Sequence, residues 1–242
     1  MNVFLLSLIL SQTPMDSLLE VSLERMERGV FLGNGDSIVS AYDKIKYVAA
    51  VRGSSIDLYL LSYGIYRLYT MKIEDYQKEG FLDSAIYYLE KSIKINPEFS
   101  DAYALLGNFY GMKAGGNPLA GMVYSKKSND AFREALEKDS LNPRAWYLQG
   151  VSVLYTPKAF GGGPQKALKY FKKALTLFKK GYGKKGLIRW GEPDCMVFLG
   201  IAYEAMDSLN AARNAYKKTL EIYPDYGWAL FKLNRIEAKK EK

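Results

Sequence analysis

The chain has 242 residues, 48% hydrophobic and 25% charged, with a formal net charge of +8. That is enough for a sizeable core, and the balance excludes wholesale disorder. It has no histidine and one cysteine, Cys195, which removes His-based acid–base catalysis, Ser-His and Cys-His dyads, nearly all zinc chemistry and any intramolecular disulfide.

The first segment, MNVFLLSLILSQTP, has an apolar run over residues 3–10. Eight residues are too few to span a bilayer but fit the h-region of a signal peptide. No Lys or Arg precedes the run and no lipobox cysteine follows it. Residues 1–13 are expected to be an export signal or an N-terminal apolar segment, and residues 14–242 a single helical domain.

From there the apolar pattern repeats in helix pairs with the 3.6 period. A first unit over 22–55 fits loosely through Gly29, Leu32, Ala41, Ile45 and Val48. The second, 56–99, opens on the tyrosine-rich DLYLLSYGIYRLY and continues with Ala85, Leu89, Ser92 and Pro97. The third, 100–142, carries Tyr103, Leu106, Gly107 and Tyr110, then Phe132 and Ala135. The fourth, 143–192, begins at Asn142-Pro143, an N-cap followed by a first-turn proline. It places Trp146, Gly150 and Val153 in the same slots, then Ala167, Phe171 and Ala174. The fifth, 193–226, is the most regular: Met196, Leu199, Gly200 and Tyr203, a break at Asp207-Ser208, then Ala212, Tyr216, Thr219 and Pro224. Residues 227–241 read as a capping helix, polar on its outer face. Glycines in mid-helix cost about 1 kcal/mol relative to alanine, so Gly107, Gly150 and Gly200 point to close helix approach.

Three inserts interrupt the period. Gly200 and Ala212 are twelve residues apart but Gly150 and Ala167 seventeen, so TPKAFGGGP, with Phe160, Gly161, Gly162 and Gly163, adds five residues to one turn. Residues 111–128 are expected to widen the preceding turn, and 70–82 behave similarly. Residues 179–192 join two pairs and are expected on the opposite edge. The glycines do not form a nucleotide loop: no Gly-Lys-Ser/Thr is present, no strand precedes them, and Pro164 lacks a donor.

The slots at these offsets resemble the tetratricopeptide repeat (TPR). That resemblance implies an all-α, right-handed solenoid of antiparallel helix pairs whose first helices line a concave groove. It further implies groove positions at Asn108, Arg144, Tyr147, Val151, Tyr155, Val197 and Ile201, of which the last five form an apolar and aromatic surface suited to a peptide, a partner helix or an oily ligand. Ala104 stands where the family's carboxylate clamp has lysine, so capture of an acidic tail by that clamp is not expected. NPRAWYLQG, TPKAFGGGPQKAL and WGEPD together resemble exported bacterial TPR proteins with gapped repeats. Among these is the TPR subunit associated with TRAP transporters, a group that binds proteins or small hydrophobic ligands.

Charge is concentrated. Residues 140–191 hold eleven Lys/Arg and no Asp or Glu, leaving 23 basic against 26 acidic residues elsewhere. Lys169, Lys172 and Lys173 share one helix face, and Lys184, Lys185 and Arg189 follow. This block reads as a solvated face or, over 158–189, as a contact for an anionic surface. Nucleic acid is disfavoured if the chain is exported. The expected function is a non-catalytic scaffold for a protein or peptide in a bacterial envelope complex, or else a small hydrophobic-ligand-binding accessory of a periplasmic transporter. Self-association could also fill the groove, and no catalytic residue, cofactor or metal is expected.

Overall fold

The computed structural model describes residues 14–116, 118–184 and 186–240. The apolar segment or export signal over residues 1–13 lies outside them. The described residues form eleven α-helices and two short 3-10 turns, with no strand. In chain order the helices are α1 (Pro14–Leu32), α2 (Gly35–Val51), α3 (Ser55–Thr70), α4 (Glu79–Ile95), α5 (Ser100–Gly116), α6 (Pro118–Lys138), α7 (Pro143–Tyr155), α8 (Pro164–Lys179), α9 (Glu192–Glu204), α10 (Leu209–Ile222) and α11 (Gly227–Lys240). Each odd helix from α1 to α9 packs against the helix that follows it, and successive pairs stack. The result is an all-α helical-repeat solenoid.

Local chemistry sets the helix starts. Asn34 caps α2 by accepting from the Ser37 amide at 3.0 Å. Ser54 and Asp57 form a reciprocal capping box on α3, which satisfies two otherwise unpaired donors. The Asn142 side chain accepts from the amides of Arg144 and Ala145, with Pro143 in the first turn of α7. Within three of the pairs a glycine of the first helix meets an aromatic ring of the second. A Cβ on Gly107 would lie 3.1 Å from Phe132, one on Gly150 2.7 Å from Phe171 and one on Gly200 2.2 Å from Tyr216. Ala135, Ala167 and Ala212 are wholly buried on the second helices.

Three local expectations change. The first helix begins at Pro14, ahead of residue 22. The 111–128 stretch does not widen a turn: α5 runs to Gly116 and α6 begins at Pro118. The added residues lengthen both helices despite their glycines, and Pro118 suits the start of the second. The third change concerns residues 179–192. Glycines with positive φ at 181, 183, 186 and 191 turn the chain; most of the residues up to Gly186 are exposed, but Ile188 and Gly191 are buried. The buried Trp190 goes with them.

The ends of the solenoid also meet. α11 touches α1, Arg28 pairs with Asp225 at 3.0 Å, and the Phe31 and Tyr226 rings lie 4.7 Å apart.

Candidate functional site

Side chains of α1, α3, α7 and α9 pack together with the connection that follows α8. Trp190 stacks on Tyr63 at 4.6 Å and 21°, tilts against Tyr66 at 5.7 Å and meets Tyr147 edge-on at 6.4 Å. Its indole N–H donates to the Tyr59 hydroxyl at 3.0 Å. Aromatic pairs in these geometries add to the area they bury. Arg144 holds the same connection: its Nη1 donates to the carbonyls of Gly183 at 2.8 Å and Ile188 at 3.2 Å. The rest of its guanidinium grips both carboxylate oxygens of Asp101, at 2.6 and 3.1 Å.

Beside this lies a buried ionic knot. Arg67 of α3 reaches both oxygens of Asp194 of α9 at 3.0 Å, and Glu27 of α1 at 3.1 and 2.7 Å. The Tyr63 hydroxyl donates a hydrogen bond to Glu27, and that of Tyr226 donates to Asp194 at 2.8 Å. Burial disfavours the Arg67 cation, but Asp194 and Glu27 raise its pKa well above the ordinary guanidinium range. Tyr63, Tyr147 and Tyr226 are pushed well above the ordinary phenol value, chiefly by burial. A positive charge fixed between two carboxylates, each hydrogen-bonded by a tyrosine, is a structural tie rather than an acid–base pair.

The residues expected in the groove therefore separate. Tyr147 and Val197 are 0% exposed, and Asn108 and Arg144 are also buried. The inward connection covers Arg144 and Tyr147, which sequence periodicity alone cannot show. Val151 and Ile201 are half-buried, and Tyr155 is 68% exposed. The loop glycines spend their amides internally: Gly161 donates to Lys158, Gly162 to Pro157 and Gly163 to Val153 at 2.8 Å. This folds the loop back on the end of α7 and leaves Phe160 81% exposed. On α8, Lys169, Lys172 and Lys173 are exposed and have no carboxylate partner among the described residues. Lys184 pairs with Glu192 at 2.6 Å and Arg189 with Glu20. Lys185 lies outside the described residues.

One feature was not anticipated: a cleft of about 400 Å³ between α1 and the connection. Glu20, Leu23, Glu24, Glu27 and Phe31 of α1 line it together with Phe178, Leu187, Trp190, Pro193 and Tyr223. The α1 residues recur at helical spacing, so the stripe was visible. Most of its partners, from Phe178 to Tyr223, lie far along the chain and were not. Among the described residues no cluster of acidic, Cys or His side chains could hold a metal, and no helix is long and apolar enough to cross a membrane.

No family model matches the sequence, and no curated protein matches it either. Solved structures do. A thermophilic TPR protein from Thermus thermophilus, TTC0263, is 17% identical with a TM-score of 0.66, covering 91% of this chain and 99% of its own. The HusA haemophore from Porphyromonas gingivalis is 22% identical with a TM-score of 0.66, covering 80% of this chain and 95% of its own. A chain of the Cut9–Hcn1 hetero-tetramer of the APC/C is 16% identical with a TM-score of 0.57, over 94% of this chain and 40% of its own. At these identities the likeness is one of architecture, and the architecture of this chain is the TPR solenoid.

Proposed function

We propose that the chain is a non-catalytic scaffold that holds a protein or peptide partner at the end of the concave side left open by its own connection. One observation carries this reading: Tyr155 and Phe160 are 68% and 81% exposed, while most of the aromatic residues lining the rest of that side are buried. We assign half-buried Val151 and Ile201 to the same surface. Exposed aromatics on a rigid frame are the residues that dominate protein interfaces. An apolar helix or extended segment fits this surface. Lys169, Lys172 and Lys173 lie on α8, the helix that follows the loop, and would favour a partner with an acidic flank.

The test is to replace Tyr155 and Phe160 together by Ala and compare capture of the native partner by cross-linking and co-purification. Both side chains are exposed, so folding is expected to survive, as helical circular dichroism would show. Capture should fall by at least tenfold if each residue contributes about 1 kcal/mol or more. Undiminished capture removes this surface from consideration.

A second reading, a small hydrophobic-ligand carrier serving a transporter, is supported by a different feature: the apolar cleft between α1 and the connection. HusA, whose fold this chain shares, is described as a haemophore. For either reading the proposed location is the bacterial envelope, supported by the apolar run over residues 3–10. N-terminal sequencing of the native protein checks it: a mature start near Gln12 or Thr13 is expected, and a cytosolic chain that keeps Met1 overturns it.

A further inference from the structure

We infer that the cleft between α1 and the connection joining α8 to α9 takes an apolar organic molecule bearing a single positive charge, with the cation set on Glu24. The inference rests on the ligand-carrier reading and adds to it the chemical class of the ligand.

The body of the cleft is apolar: Leu23, Phe31, Phe178, Leu187, Trp190 and Tyr223 supply most of its surface. Its volume, about 400 Å³, falls within the range of roughly 300–1,000 Å³ common to small-molecule sites. Charge then separates the candidates. Four carboxylates line the cleft, and three are already engaged. Glu20 is paired with Arg189. Glu27 is held by Arg67 at 2.7 Å. Glu192 is paired with Lys184 at 2.6 Å and accepts from the Tyr223 hydroxyl at 2.8 Å. Glu24 lies between Glu20 and Glu27 on the same face of α1 and has no partner among the described residues.

The two cations that line the cleft, Lys184 and Arg189, are both used. An anionic ligand could gain one of them only by breaking an existing ion pair, and would still face Glu24. A neutral ligand gains apolar burial alone. A ligand with one ammonium group gains that burial and neutralises the remaining carboxylate, and the aromatic walls add attraction for the cation.

An isosteric series tests this on the full chain: decylamine, decanol and decanoate, each below its micelle-forming concentration. Binding is followed by titration calorimetry and by the fluorescence of Trp190, compared with a Trp190→Phe control. The amine is expected to bind roughly two- to fivefold tighter than the alcohol, as an ion pair with an exposed carboxylate allows, and the acid weakest. Glu24→Gln, a change at an exposed side chain, should bring the amine down to the level of the alcohol and leave the alcohol unchanged. Leu187→Trp, which fills the cleft, should weaken all three, with thermal unfolding confirming that the variant folds. If the acid equals or exceeds the amine, or if Glu24→Gln keeps the amine's advantage, the charge assignment is overturned. If all three bind alike, the carrier reading stands and the charge assignment falls. If none binds saturably, both fall.

Discussion

The Arg67 guanidinium is bound on two sides by carboxylates from helices far apart in the chain, at positions 27 and 194. Such a cluster is weak support for stability as a whole, because desolvation opposes the attraction, but removing one member leaves a buried charge uncompensated. Arg67→Met should therefore cost about 3–5 kcal/mol, read from the midpoint of denaturant unfolding. Changing Arg67 to Met and Asp194 to Leu together should cost less than Arg67→Met alone, since no buried carboxylate is then left unpaired: half-exposed Glu27 keeps the Tyr63 hydroxyl, and the neutral Tyr226 hydroxyl is the one buried group that loses its acceptor. Equal losses in the single and double variants would mean that Asp194 is not held by Arg67. Asp57 gives a pH-dependent case. Burial works to raise its pKa, but hydrogen bonds from Arg52, with Nε at 2.7 Å, and from Ser54 hold it below the ordinary carboxylate value. A carboxylate with a lower folded than unfolded pKa binds fewer protons in the folded state. Its contribution is intact above about pH 5 and is lost as pH falls from about 4 through the folded value. Wild type should exceed Asp57→Asn in stability by about 1–3 kcal/mol at pH 7, with the gap closing toward pH 2; a gap independent of pH would contradict this.

At the level of helix pairs, the three close-approach glycines are not equivalent. A methyl group on Gly200 would fall 2.2 Å from the Tyr216 ring, and that ring is fixed because its hydroxyl is bonded to Glu204. On Gly107 the same methyl would meet Phe132 at 3.1 Å, where a shift of a few tenths of an ångström relieves it. Gly200→Ala should destabilise by about 1–3 kcal/mol or more. Gly107→Ala should be near neutral, because the helix gains about 1 kcal/mol of propensity. Calorimetric midpoints would show the difference, at roughly 2–4 °C per kcal/mol for a chain of this size. These pairs were legible in the sequence because everything that makes them is local: Gly200 and Tyr216 belong to one unit and recur at fixed offsets, as do Gly150 and Phe171. The connection over 180–191 was not legible in the same way. Glycine and lysine dominate it, as in a solvated loop. What draws it inward is Trp190, whose partners Tyr59, Tyr63 and Tyr66 come from an earlier repeat. Tyr147 and Arg144 looked like groove residues because their slots face the concave side. Both are buried, and the chain's own indole and carbonyls lie against them.

For the molecule as a whole, these long-range ties change what a solenoid should do. In an open repeat array each unit contacts only its neighbours, so stability is close to a sum of local terms and the ends can unfold first. Here α11 touches α1, Arg67 joins α3 to α1 and α9, Arg189 pairs with Glu20 of α1, and Trp190 packs on α3 and α7. The first and last units are thus tied through the centre as well as along the chain. The intact protein should unfold in one transition, with calorimetric and van't Hoff enthalpies in agreement. Trp190→Ala should cost about 3–5 kcal/mol, as for a large buried aromatic, and should also loosen the inward connection from the concave side. The closure then weakens while neighbour contacts persist. The expected result is a calorimetric enthalpy that exceeds the van't Hoff value, with amide exchange rising first in α1 and α11. If the variant is destabilised by that amount but still unfolds in one step with matching enthalpies, neighbour contacts alone carry the cooperativity, and the central ties add stability without adding unity.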